Sequence, residues 1–200
     1  MIAYFDRLYW LITLKDKEDE KDEEVKIDKV HKVHKVHKVD TENHATSDVP
    51  VLRRAAMDFL ARREHSFHEL QHKLHRKFPD SPAAQLDDVL QCLADEGLQS
   101  DDRFTESWVR YRQGRGFGYH HIRSDLCARG LSNTTIDRYL FDDDDAWLNS
   151  ARDLVTKRLR SLNTEIIEFG SKPHRKLLKF LESRGFGHRE IRQALEEVVK

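Results

Sequence analysis

The sequence predicts an all-α protein: an elongated stack of three tandem three-helix modules, preceded by a disordered N-terminal extension. Three observations carry this. Apolar residues recur at helical spacing, as in Ala55/Phe59/Leu60, Val89/Leu90/Leu93, Phe104/Trp108/Tyr111 and Leu177/Phe180/Leu181. One frame, Arg followed by Ser or Gly at +3, Ile or Leu at +7 and Leu at +11, occurs at Arg63/Ser66/Leu70/Leu74, Arg115/Gly118/Ile122/Leu126, Arg129/Ser132/Ile136/Leu140 and Arg184/Gly187/Ile191/Leu195. Second helices begin near 66, 118 and 172 and third helices near 81, 132 and 187, a period of 51 to 55 residues. Modules that short cannot hide their apolar stripes alone, so they stack.

Residues 1–49 form the extension. From Lys15 to His44 the chain is charged and holds no Phe, Trp or Tyr, a composition that does not fold alone. Its first twenty residues briefly resemble an export signal, but Asp6 and Arg7 interrupt the apolar part and the basic leader is missing. The run "VHKVHKVHKV" spaces His31, His34 and His37 by three, which on a helix drifts about 60° per step and keeps the rings off one face. It reads as a low-complexity, solvated tail.

The first module, 50–98, holds helices over 50–63, 67–77 and 82–96. Ser66 with Glu69 has capping-box spacing, and Ser81-Pro82 puts proline at a first helical position. The second, 99–143, holds helices over 102–113, 119–129 and 133–141; the third, 144–200, over 145–160, 172–184 and 188–199, with a loop at "NTEIIEFGSK". Gly97-Leu98, Gly130-Leu131 and Gly185-Phe186 each close a helix with a left-handed C-cap. Gly116-Phe117 lies one step past a helix ending near Gln113-Gly114. The related words "RGFGYHHIRSDL" (115–126) and "RGFGHREIRQAL" (184–195) follow helices rather than strands, so they are joints and not phosphate loops.

Catalytic chemistry is not visible. His120-His121 are adjacent and diverge. His65, His68 and His72 fall at i, i+3 and i+7, but the run also carries Glu69 and Lys73 and reads as a solvated face, so no metal or cofactor is expected. Asp142 to Asp145 read as capping acids. Nucleophile elbows, P-loops and dinucleotide fingerprints are missing, so no enzyme and no small-molecule substrate are expected. Cys92 and Cys127 sit in apolar helical patterns and are expected to be buried free thiols, fitting a cytoplasmic protein; no apolar run reaches membrane-spanning length.

What remains is surface charge. The formal net charge is −1, but residues 1–49 carry 9 Lys/Arg against 12 Asp/Glu, 103–138 carry 7 against 3, and 172–192 carry 7 against 2. Two basic clusters at matching repeat positions are the candidate contact residues: Arg110, Arg112, Arg115, His120, Arg123 and Arg129, then Arg175, Lys176, Lys179, Arg184, Arg189 and Arg192. Stacking would line them along one side of the body, suiting a polyanion or an acidic protein groove.

The stretches "ARREHSFHELQHKL" (61–74), "EGLQSDDRFTESWVRYRQGRGFGYHHIRSDLCARGLS" (96–132) and "KLLKFLESRGFGHREI" (176–191) resemble the RecX family of regulatory proteins over about 50–199. The resemblance implies tandem three-helix modules and binding to the RecA recombinase and its filament on single-stranded DNA. It also implies restraint of filament growth, ATPase, strand exchange and coprotease activity, with DNA contacts alongside. Reversing Arg123 and Arg189 to Glu is then expected to weaken inhibition at unchanged helicity. Residues 1–49 have no counterpart in the family's shared region, and "RKFPDSP" stands where the other modules have a glycine joint. The rival readings are a sequence-tolerant helical nucleic-acid binder without a RecA partner, disfavoured by the near-neutral balance of 50–200, and a His-based metalloenzyme.

Overall fold

The computed structural model describes residues 49–142 and 145–200; the predicted extension with its His-Lys-Val run, and Asp143 and Asp144 of the acidic run, lie outside the described residues. Nine helices are found among the described residues: α1 Val49–Leu60, α2 Phe67–Lys77, α3 Ala83–Asp95, α4 Asp101–Gly114, α5 Tyr119–Ala128, α6 Asn133–Tyr139, α7 Ala146–Ser161, α8 Lys172–Ser183 and α9 His188–Glu196.

Side-chain caps start several of them. Ser66, Ser100, Ser132 and Ser171 each accept the amide of the third residue on. Of the capping box at Ser66, only the serine half forms, because the Glu69 carboxylate turns inward to other partners. Pro82 precedes α3 rather than opening it. Ser171→Ala removes an exposed-end cap on α8 and is expected to lower stability by about 1 kcal/mol, measured by urea denaturation.

The glycine joints share one geometry. Gly97, Gly116, Gly130 and Gly185 have φ of 71°, 76°, 80° and 80°. The next residue's amide reaches back to the last turn: Leu98 to Leu93, Phe117 to Arg112, Leu131 to Leu126 and Phe186 to Leu181. Gly116 therefore closes its helix directly. Asn163, at φ 50°, plays the same part after α7. At the C-terminal end, α9 stops at Glu196 rather than 199. Val198 to Lys200 leave the helix to pair with Ile167 and Phe169 of the loop after α7, through Ile167 N–H to Val198 O at 2.8 Å and Phe169 N–H to Lys200 O at 2.7 Å.

Three separate cores result, and the extensive helix packing is all within them: α1–α3, α4–α6 and α7–α9. Leu52, Leu70, Leu74, Leu86, Leu90 and Leu93 fill the first; Phe104, Ile122, Leu126 and Ile136 the second; Ala151, Val155, Leu177, Leu181 and Ile191 the third. Trp147 of α7 is the exception, since it buries itself in the second core and donates its Nε1–H to Phe141 O at 2.7 Å. The chain is thus three small cores joined in line. Cys92 and Cys127 are free but exposed, correcting the expectation of buried thiols: each stands beside a core leucine, one position off the apolar stripe.

Candidate partner-binding surface

The modules meet at two seams built on one plan. At the first, the Ser66 hydroxyl that caps α2 also donates to the carbonyl of Arg129, at 2.8 Å, in the α5–α6 joint. At the second, the Gly118 amide at the start of α5 donates to the carbonyl of Arg184, at 2.8 Å, in the α8–α9 joint. Each seam seats the start of one module's second helix on the next module's glycine turn.

The first seam is held by buried charge. Arg129 pairs with Glu69 across the seam and with Asp125 on its own helix, Nε to Oδ1 3.2 Å. Arg112 Nε donates to Asp125 Oδ2 at 3.0 Å, and Trp108 Nε1 donates to the same oxygen at 2.9 Å. The Trp108 ring lies against both guanidiniums, 4.7 Å from Arg112 and 3.8 Å from Arg129. Glu69 also accepts from His65 Nδ1 at 2.9 Å and Arg63 at 3.1 Å. Burial opposes the charge on Glu69, but the His65 hydrogen bond and the Arg129 and Arg63 guanidiniums prevail and hold its pKa at about 2. His65 is pushed below its ordinary value by burial, so it stays neutral and donates.

Arg112 and Arg129 therefore leave the candidate surface: they are 5% and 4% exposed, and their guanidiniums hold the protein together. The sequence contained a signal for this. Phe104, Trp108 and Arg112 share one i, i+4 stripe, and Asp125 and Arg129 follow Ile122 at i+3 and i+7. Asp125 and Trp108 are the partners that composition alone did not reveal.

At the second seam the two RGFG stretches dock onto each other. A Cβ on Gly118 would meet the Gly185 carbonyl oxygen at 2.5 Å, and one on Gly185 would meet His121 N at 2.3 Å. His120 N–H donates to Gly185 O at 3.1 Å. Arg184 lies over the Phe117 ring at 4.6 Å and donates to the Arg115 carbonyl at 3.1 Å. The rim of this seam is mixed in charge: Arg184 reaches the Arg115 carbonyl, and His120, His188, Arg189, Asp142 and Glu190 line a groove of about 280 Å³ in which Arg189 lies 3.8 Å from Glu190.

Four of the named basic residues are tied down or stand apart from this rim. Arg123 grips Asp137 at 2.5 Å and Asn133 at 3.1 Å, clipping α5 to α6, so its reversal would disturb the second module itself. Arg110 is exposed and pairs with Glu106 at 2.7 Å. Arg175 bonds the Gly170 carbonyl at 2.8 Å. Lys176, on the outer face of α8, joins Arg158 and Lys172 around a second groove of about 300 Å³ floored by Leu162, Pro173 and Leu177. Lys179 and Arg192 are exposed on α8 and α9. Arg158 and the strongly exposed Phe169 and Phe141 went unnoticed in the sequence because they belong to no repeat position, and Lys172 entered only through the charge count of 172–192.

Among the described residues no three His, Cys, Asp or Glu gather in metal-holding geometry, and no helix is long and apolar enough to cross a membrane.

Comparison with known proteins adds the following. The family pattern described as RecX, second three-helix domain, matches residues 100–140. The chain is 37% identical over 143 residues to "Regulatory protein RecX" of Pseudomonas putida, covering 71% of this chain and 88% of that one. It is 38% identical over 147 residues to the protein of the same name from Xanthomonas axonopodis pv. citri, covering 73% and 85%. In fold it is similar to the crystal structure of RecX from Lactobacillus salivarius, with a TM-score of 0.62 and 19% identity over 75% of this chain and 96% of that one.

Proposed function

The chain belongs to the RecX family of regulatory proteins, and from that premise we propose that it binds the RecA recombinase along its filament on single-stranded DNA and restrains it. The observation that supports this reading best is the second seam. Its exposed Arg115, His120 and Arg189, with Arg184 half-buried nearby, place basic side chains among Asp142 and Glu190 on the rim of a fixed joint between two modules. Such a rim suits an extended acidic surface better than a small ligand, because three small cores in a row offer length without an enclosed site. Inhibition then comes from coverage: a protein spanning successive RecA subunits blocks the addition of new ones and slows nucleotide turnover.

RecA's DNA-dependent ATPase tests this. Added well below one copy per RecA, the protein is expected to lower turnover progressively. A turnover rate that stays constant up to equimolar protein would contradict the reading. The rival, a nucleic-acid binder without RecA, would show steep salt-dependent binding to bare DNA and no effect on that rate.

A further inference from the structure

On α2, His68 and His72 stand one turn apart, with their Nε2 atoms 3.2 Å from each other, ring centroids 4.4 Å apart and planes at 75°. The fold divides the histidine series seen in the sequence: His65 is buried onto Glu69, His68 is half-buried against the Gly130 turn with its Nδ1 enclosed, and His72 is exposed. We propose that His68 and His72 form a two-histidine chelate for a divalent late first-row cation, Zn²⁺ or Cu²⁺, on the flank of the first seam.

The distances fit. Imidazole nitrogen binds zinc at about 2.0–2.1 Å, and two such bonds whose ends are 3.2 Å apart meet at about 103°, between the octahedral and tetrahedral angles. The helix supplies the spacing before any metal arrives, so little order is lost on binding. His68 is braced as well, because the Gly130 turn of the second module packs against it so closely that a Cβ there would lie 2.6 Å from its Cβ. His72 is exposed, leaving the outer side of the site open to the ion. Without metal, one ring donates to the other; binding needs both rings to carry the proton on Nδ1, so that both Nε2 lone pairs face the ion. Two protein nitrogens leave other coordination positions to water or to a donor from a bound partner. The site is therefore an exchangeable one rather than a structural zinc centre. Nitrogen donors also favour this class of ion over Mg²⁺ or Ca²⁺, which take oxygen.

The test uses the full chain with His31, His34, His37 and His44 replaced by Gln, so that extension histidines do not contribute, and titrates it with Zn²⁺ by calorimetry and by thermal melting. About one Zn²⁺ per chain is expected, together with a rise in Tm, because the paired rings exist only in the fold. His72→Gln, at an exposed position, is expected to leave the metal-free melt unchanged, to weaken Zn²⁺ binding roughly tenfold or more and to remove the rise. Mg²⁺ is expected to do neither. Absence of stoichiometric binding in the reference chain overturns the proposal, and so does a His72→Gln variant that binds Zn²⁺ equally well.

Discussion

Gly185→Ala is expected to detach the third module from the second, lowering the stability of the coupled unit by about 3 kcal/mol or more and splitting a single unfolding transition into two. Two independent costs combine there. An L side chain at φ 80° is strained by roughly 1–2 kcal/mol. The new Cβ would also sit 2.3 Å from His121 N, a backbone atom that cannot swing aside. Relief requires α5 to move away, breaking the Gly118 and His120 hydrogen bonds to Arg184 and Gly185. Gly97, also at positive φ but with open space around its Cβ, provides the control: Gly97→Ala bears the strain alone and should cost roughly 1 kcal/mol. Urea denaturation followed by circular dichroism separates the two. Equal losses would show that the RGFG docking contributes nothing.

Glu69→Gln is expected to cost about 3–5 kcal/mol, since it leaves Arg129 buried with one carboxylate fewer. The same cluster sets a pH dependence. Glu69 has a folded pKa near 2 against an ordinary 4.5, so its stabilisation is complete above pH 4.5 and is lost as pH falls toward 2, in all about 3 kcal/mol. His65 acts in the same direction at higher pH: burial keeps it neutral, so protons taken up by the unfolded chain below its ordinary 6.5 favour unfolding. Wild-type stability should therefore begin to fall below about pH 6.5 and fall faster below 4.5. The Glu69→Gln variant should lose the steeper limb. A variant with the wild-type acid limb would place the titration elsewhere.

Sequence reasoning located nearly every helix to within three residues, because core stripes and glycine stops are local signals. Its surface reading was less complete, and the reason is physical. Charge counts treat every arginine as solvated, yet Arg112 and Arg129 fall on apolar stripes and meet the buried acids Asp125 and Glu69. Likewise the two RGFG words were legible as like joints, but their mutual contact depends on how far one module is offset from the next. Gly118 and Gly185 carry that information only as missing side chains. Matching repeat positions put the basic residues in one class, but their surroundings differ. Arg184 meets the Arg115 carbonyl, His120 and Arg189 line one groove with Asp142 and Glu190, Arg123 turns to Asp137, and Lys176 joins Lys172 and Arg158.

Coverage of a RecA filament through the rim of the second seam is most directly tested by titrating RecA's DNA-dependent ATPase with wild-type protein and with Arg115→Glu/Arg189→Glu, both exposed side chains, while helicity and Tm are recorded for each. The account predicts that the doubly reversed protein keeps its helicity and Tm but needs roughly tenfold more protein for the same inhibition, about 1.4 kcal/mol of lost contact. Undiminished inhibition by that variant would contradict it.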